Sequence, residues 1–210
     1  SYPALNGSIL SVKLANKDSV GKVAEICVRV TNSTNYNDYS IIVTVKMLDK
    51  AAQTIEADDV TMTYGNSAQV NVKNASALHG AVSYSVTSGS DVISVDLSGK
   101  ITALKSGTAT VKISAAGDSD YAAAMKSITV TVAKRTLTVK AADKSAYVGE
   151  KQPELTYEVT GLVDSDKLTK EPTLKLVHEA VADPMKTAGE YVITFDQAPA
   201  ADAAKYDLVT

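Results

Sequence analysis

Tyr36, Tyr121 and Tyr206 stand 85 positions apart (121 − 36 and 206 − 121). Each sits at the same place in a recurring pattern of a glycine turn, an alternating strand, a tyrosine and a second strand. The fullest copy runs from Gly107 to Lys134, "GTATVKISAAGDSDYAAAMKSITVTVAK"; an upstream relative spans Gly21 to Leu48, and downstream "GEYVITF" begins at Gly189 and "KYDLVT" ends at Thr210. Side chains of a strand alternate between its two faces, so each copy has one face to bury. A chain with such a period builds an array of small units.

The register of the copies sets further expectations. Ile41, Val43 and Val45 correspond to Ile128, Val130 and Val132 at an offset of 87, which places a two-residue insertion after Tyr121. By the same arithmetic the third closing strand falls near positions 213 to 219, beyond Thr210. Both terminal units are therefore expected to be incomplete.

Read in order, the chain divides into three. Residues 1–51 predict strands at Ile9 to Leu14, Lys22 to Thr31 and Tyr39 to Leu48, the C-terminal part of a truncated module. Residues 52–134 carry seven short candidate strands: Val60 to Thr63, Gln69 to Lys73, Val82 to Thr87, Val92 to Val95, Lys100 to Leu104, Thr108 to Ala115 and Ser127 to Val132. Turn signals at Tyr64-Gly65-Asn66, His79-Gly80, Ser88-Gly89-Ser90, Ser98-Gly99 and Ser106-Gly107 separate them, as in an immunoglobulin-like sandwich. Residues 135–210 predict strands at Thr136 to Ala141, Leu155 to Val159, Leu174 to His178, Tyr191 to Phe195 and Tyr206 to Val209, a module lacking its last strand. Between them "GLVDSDKL" predicts one helical turn capped by Asp164. The fold class is all-β, with sandwich-like modules end to end.

Composition narrows the function. Of 210 residues 45% are hydrophobic and 21% charged, enough to bury a core, and the formal net charge of -3 comes without a dense Lys/Arg run. Nucleic acid is not an expected partner. No apolar stretch reaches the ~18–20 residues of a membrane span, so no membrane insertion is expected within these residues. Residues 1 to 30 carry no basic start and apolar block, which puts any export signal outside them. The one cysteine, Cys27, excludes an intramolecular disulfide and reads as a small strand side chain.

At "DVISVDLSGKITALKSGTATVKI", residues 91–113, the chain resembles bacterial immunoglobulin-like domains; Val95, Gly99, Ile101, Gly107, Ala109 and Val111 carry the resemblance. From Thr136 it resembles the MBG family, through Gly149, Pro153, Leu155, Tyr157, Gly161, Leu162, Asp166, Leu168, Gly189, Tyr191 and Tyr206. One departure is Tyr147-Val148-Gly149, where that family places Tyr directly before Gly, as in Tyr64-Gly65. Both resemblances imply an extracellular or bacterial cell-surface location and a non-catalytic structural or adhesive stalk whose partners are neighbouring repeat modules. An extracellular glycan or protein ligand, or service as an accessory module of a carbohydrate-active enzyme, are the alternatives.

Chemistry-bearing residues are sparse. His79 and His178 lie apart, and no nucleophile elbow, zinc-protease helix or phosphate loop is present. No catalytic, cofactor-binding or metal-ligating residue is predicted. Asp58-Asp59, Asp118-Ser119-Asp120 and Asp164-Ser165-Asp166 offer carboxylates, but Ca²⁺ takes 6–8 oxygens, and turn chemistry accounts for the same residues. The sequons at Asn6, Asn32 and Asn74 read as turn composition, and the fixed place of Tyr36, Tyr121 and Tyr206 predicts rings packed against the sheets.

Overall fold

Alternation of β-branched and polar residues becomes strand at nearly every expected place. The computed structural model describes residues 23–30, 39–46, 48–163, 165–177 and 184–210. They fall into two units: residues 1–51 with 119–121, and residues 52–118 with 122–210. In the first, Val23–Val30 (β1) and Tyr39–Lys46 (β2) pair antiparallel from Val23↔Lys46 to Val30↔Tyr39, which places Cys27 across from Ile42. The expected strand at Ile9, the sequons at Asn6 and Asn32, Tyr36 and His178 lie outside the described residues.

The second unit opens with Val60–Thr63 (β3), Ser67–Gln69 (β4), Val82–Ser88 (β5), Ile93–Val95 (β6), Lys100–Ala103 (β7), Gly107–Ala115 (β8) and Ala124–Ala133 (β9). They form a four-stranded sheet, β3-β9-β8-β5, and a three-stranded one, β4-β7-β6. β9 runs parallel to β3 and antiparallel to β8. Ala109, Val111, Ile113 and Ala115 of β8 and Ile128, Val130 and Val132 of β9 turn inward, where they meet Ile93, Ile101 and Ala103. Burying each larger aliphatic side chain contributes about 1.5–3 kcal/mol.

The Val-Asp-x-Ser-Gly signature has a local cause. Asp96 directly follows β6, and its Oδ1 accepts hydrogen bonds from Ser98 N at 2.8 Å, Ser98 Oγ at 2.7 Å and Lys100 N at 2.9 Å. One carboxylate closes the turn that returns the chain into β7. The Ser98 hydroxyl first, and the backbone amides with it, hold the Asp96 carboxyl below the ordinary range.

Five more strands follow: Arg135–Ala141 (β10), Tyr157–Thr160 (β11), Thr173–Val177 (β12), Val192–Gln197 (β13) and Tyr206–Val209 (β14). β10 is central to a three-stranded sheet, antiparallel to β11 and parallel to β14, and β12 pairs with β13. Two 3-10 turns, Ala75–Ala77 and Pro184–Lys186, are the helical structure among the described residues.

Some expectations shift. The strand expected at Gln69 to Lys73 begins earlier, because β4 follows the Tyr64-Gly65 turn directly and pairs with β7; Val72 makes only an isolated bridge to Ala57. The strand expected at Leu155 starts at Tyr157, where the ladder to Ala141 begins. Described residues of the 161–168 segment form no helix, and the proposed cap, Asp164, lies outside them. Tyr206 is 4% exposed as expected, but Tyr121 is only half-buried.

Truncating Ile101, fully buried, to alanine is expected to cost about 2–5 kcal/mol in chemical denaturation. Met125→Ala on exposed β9 surface should cost less than about 0.5 kcal/mol.

Candidate functional site

Only Lys134 separates the end of β9 from the start of β10. With so short a connection, the ends of the surrounding loops are forced against one another. The Tyr64 turn leaving β3, the 161–166 loop leaving β11 and the turn entering β14 meet there.

Tyr64 is 6% exposed, and its ring stands edge-on to Tyr206, centroids 5.5 Å apart at 85°. Both hydroxyls donate to the same carboxylate oxygen: Tyr64 Oη to Asp166 Oδ2 at 2.8 Å and Tyr206 Oη at 2.6 Å. The Tyr206 oxygen also accepts from Val163 N at 3.0 Å. Lys205 Nζ lies 3.2 Å from Asp166 Oδ1 and 5.2 Å from the Tyr64 ring centroid. Edge-to-face rings and a cation over a ring each add roughly 0.5–1.5 kcal/mol beyond area burial.

Backbone geometry fixes the approach. Gly65 has φ +84, and a Cβ there would lie 2.4 Å from Val163 Cγ2. Gly161 has φ +98, and its Cβ would meet Thr136 O at 2.3 Å. Only glycine permits both the left-handed backbone and the contact. Arg135 Nε donates to Gly161 O at 2.8 Å, and Ser106 N and Oγ both donate to Ala204 O, at 2.8 and 2.7 Å. Asp202 shapes the turn into β14, accepting from Ala204 N on its side chain and from Lys205 and Tyr206 N on its backbone.

The charges are tuned by the same contacts. Burial works against ionisation of Asp166, but hydrogen bonds from Tyr206, Tyr64 and Lys205 outweigh it and hold its carboxyl below the ordinary range. Burial, reinforced by the bond to Asp166, pushes the Tyr206 hydroxyl up to about 12. Tyr64 is raised by burial and by Asp166, and Lys205 by its contacts with Tyr64 and Asp166. The arrangement is a charged, hydrogen-bonded clasp; it presents no nucleophile beside a base.

Elsewhere, His79 Nδ1 lies 2.9 Å from Asp118 Oδ2, and Lys73 pairs with Asp58 at 2.6 Å. Asn74 lies in the loop beside Glu56 and Thr54, its side chain bonded to Glu56 N and Thr54 O. Among the described residues no three His, Cys, Asp or Glu side chains gather as metal ligands, and no helix is long and apolar enough to cross a membrane. Tyr64, Asp166, Lys205 and Arg135 did not stand out as a group in the sequence. The available signals were the glycines after Tyr64 and before Leu162, which mark close backbone approach.

Residues 137–210 match the family described as MBG domain (YGX type). No curated protein sequence matches the chain. Among solved structures, the surface layer protein SbsC is similar in two fragments. Domains 1-6 share 16% identity over 77% of this chain and 24% of that chain, at a TM-score of 0.30; domains 4-9 share 13% over 84% and 34%, at 0.29. The chain thus spans about a quarter to a third of those fragments.

The clasp makes stability depend on pH. Because the folded pKa of Asp166 is lowered, its contribution is complete above the ordinary aspartate value of about 3.9 and is lost as pH falls through the folded value. Tyr206 is raised, so its contribution is complete below about 10 and lost as pH rises through the folded value. Asp166→Asn is expected to cost about 1.5–3 kcal/mol at neutral pH. Urea denaturation from pH 2 to 8 should show the gap to the parent closing in acid; a gap constant with pH would remove the carboxylate from this role.

Proposed function

We propose that this chain is a non-catalytic structural and adhesive stalk segment of a secreted or wall-attached bacterial surface protein. In this reading residues 52–134 form an immunoglobulin-like β-sandwich and residues 135–210 an MBG-type module, joined end to end. The clasp around Asp166 carries the proposal. A flexible string of domains needs no buried, directional contacts at its junctions, whereas a spacer that holds an outer domain away from a cell needs each junction to resist bending. The one-residue β9–β10 connection limits translation, and the contacts that cross it, Tyr64 with Asp166, Lys205 and Tyr206 and Ser106 with Ala204, limit rotation. The family match over residues 137–210 agrees with a surface-protein module.

Spin labels at Ser94→Cys and Thr173→Cys, in a Cys27→Ser background, test it by distance measurement. A single narrow distance distribution is expected. Asp166→Ala together with a Gly-Ser insertion after Lys134 should broaden it. A parent distribution as broad as that of the loosened variant would rule out a rigid spacer.

A further inference from the structure

β9 enters its sheet with a partner on each side: β3 parallel from Val60↔Val130 to Thr63↔Ala133, and β8 antiparallel from Gly107↔Val132 to Ala115↔Ala124. At the matching place after Tyr206, β14 runs parallel to β10 from Arg135↔Tyr206 to Thr138↔Val209. Past Thr138 no described strand pairs with that side of β10, and β13 is paired only with β12. The two open edges face each other across a groove. One part, about 580 Å³, lies between residues 139–141 and 191–195, with Thr210 at its wall. A second, about 680 Å³, lies between residues 143–148 and 189–191. Asp143, Lys144, Tyr191 and Ile193 line both, so the groove is continuous.

Its lining is mixed: Pro153, Leu155, Leu176 and Met185 supply apolar atoms, and Asp143, Lys144 and Glu190 supply polar ones. Val192 at its edge is 67% exposed, and Tyr147 and Val148, ahead of the Gly149 turn, are 80% and 56% exposed. The 143–147 segment is irregular, whereas β3, which leads into Tyr64, is a strand held by β9.

We infer that this groove is the seat of a β-strand continuing the line of β14, parallel to the 139–147 stretch and antiparallel to β13. Such a strand would extend the β10–β14 ladder on one side and pair the open side of β13 on the other. Alternating apolar side chains, like Ile128, Val130 and Val132 of β9, would cover the apolar lining with one face and leave polar residues on the other. A glycan or a helix would leave the open N–H and C=O groups of one edge or both without their ladder.

The test extends the full chain past Thr210 with a copy of residues 126–133, KSITVTVA. A control extension carries proline in place of the residues copied from Ile128 and Val130, since proline has no N–H to give the ladder. Amide hydrogen exchange is read on the monomer fraction from size exclusion. Exchange at residues 139–147 and 192–195 is expected to slow by about tenfold or more relative to the control, with a higher thermal midpoint. Equal exchange in the two chains, or protection of only one edge, would overturn the assignment.

Discussion

β9 is the strand on which the second unit depends. It is held by a parallel ladder to β3 on one side and an antiparallel ladder to β8 on the other, and its inward face supplies Ile128, Val130 and Val132 to the core. Because both of its edges are used, its position admits little freedom. Only Lys134 separates it from β10, whose Leu137 joins the same apolar cluster. Where the chain emerges from β9, where the Tyr64 turn sits and where the β11 loop is met are consequences of one doubly paired strand.

Apolar contact alone would not fix how those loops meet. Hydrophobic attraction is non-directional and scales with area, so a greasy junction tolerates sliding. The clasp adds direction: Asp166 accepts from Tyr64 and Tyr206 on a single oxygen and faces Lys205 on the other. The cost of holding a carboxylate at 15% side-chain exposure is offset by these hydrogen-bonded partners. Tyr64 is the partner that reaches Asp166 from residues 52–134, and its ring also meets Lys205 and Tyr206. This is how a few polar atoms give an angle to a surface that apolar side chains merely bring together.

The groove beside β13 shows the same physics from the opposite side. Strands with one edge filled and one open keep their ladder geometry but leave neighbouring segments irregular. The Tyr64 turn is buried beyond a paired strand, whereas Tyr147, which stands one residue further from its glycine, is exposed beyond an irregular segment.

The sequence by itself determined the strands and their punctuation. Period-2 alternation in Thr108 to Ala115 and Ser127 to Val132, and glycine turns such as Ser98-Gly99, are local properties that each stretch carries alone, and they placed β8, β9, β7 and β14 within a few residues of where they lie. The 85-residue period was equally legible, but it suggested equal burial for Tyr121 and Tyr206, and only Tyr206 is deeply buried. What tertiary structure decided was which loops meet. Tyr64 and Asp166 are 102 positions apart, and Asp166 and Tyr206 are 40 apart. No spacing rule connects them, because a loop-to-loop contact depends on where the strands deliver each loop in space, and that is fixed only once the sheets have formed.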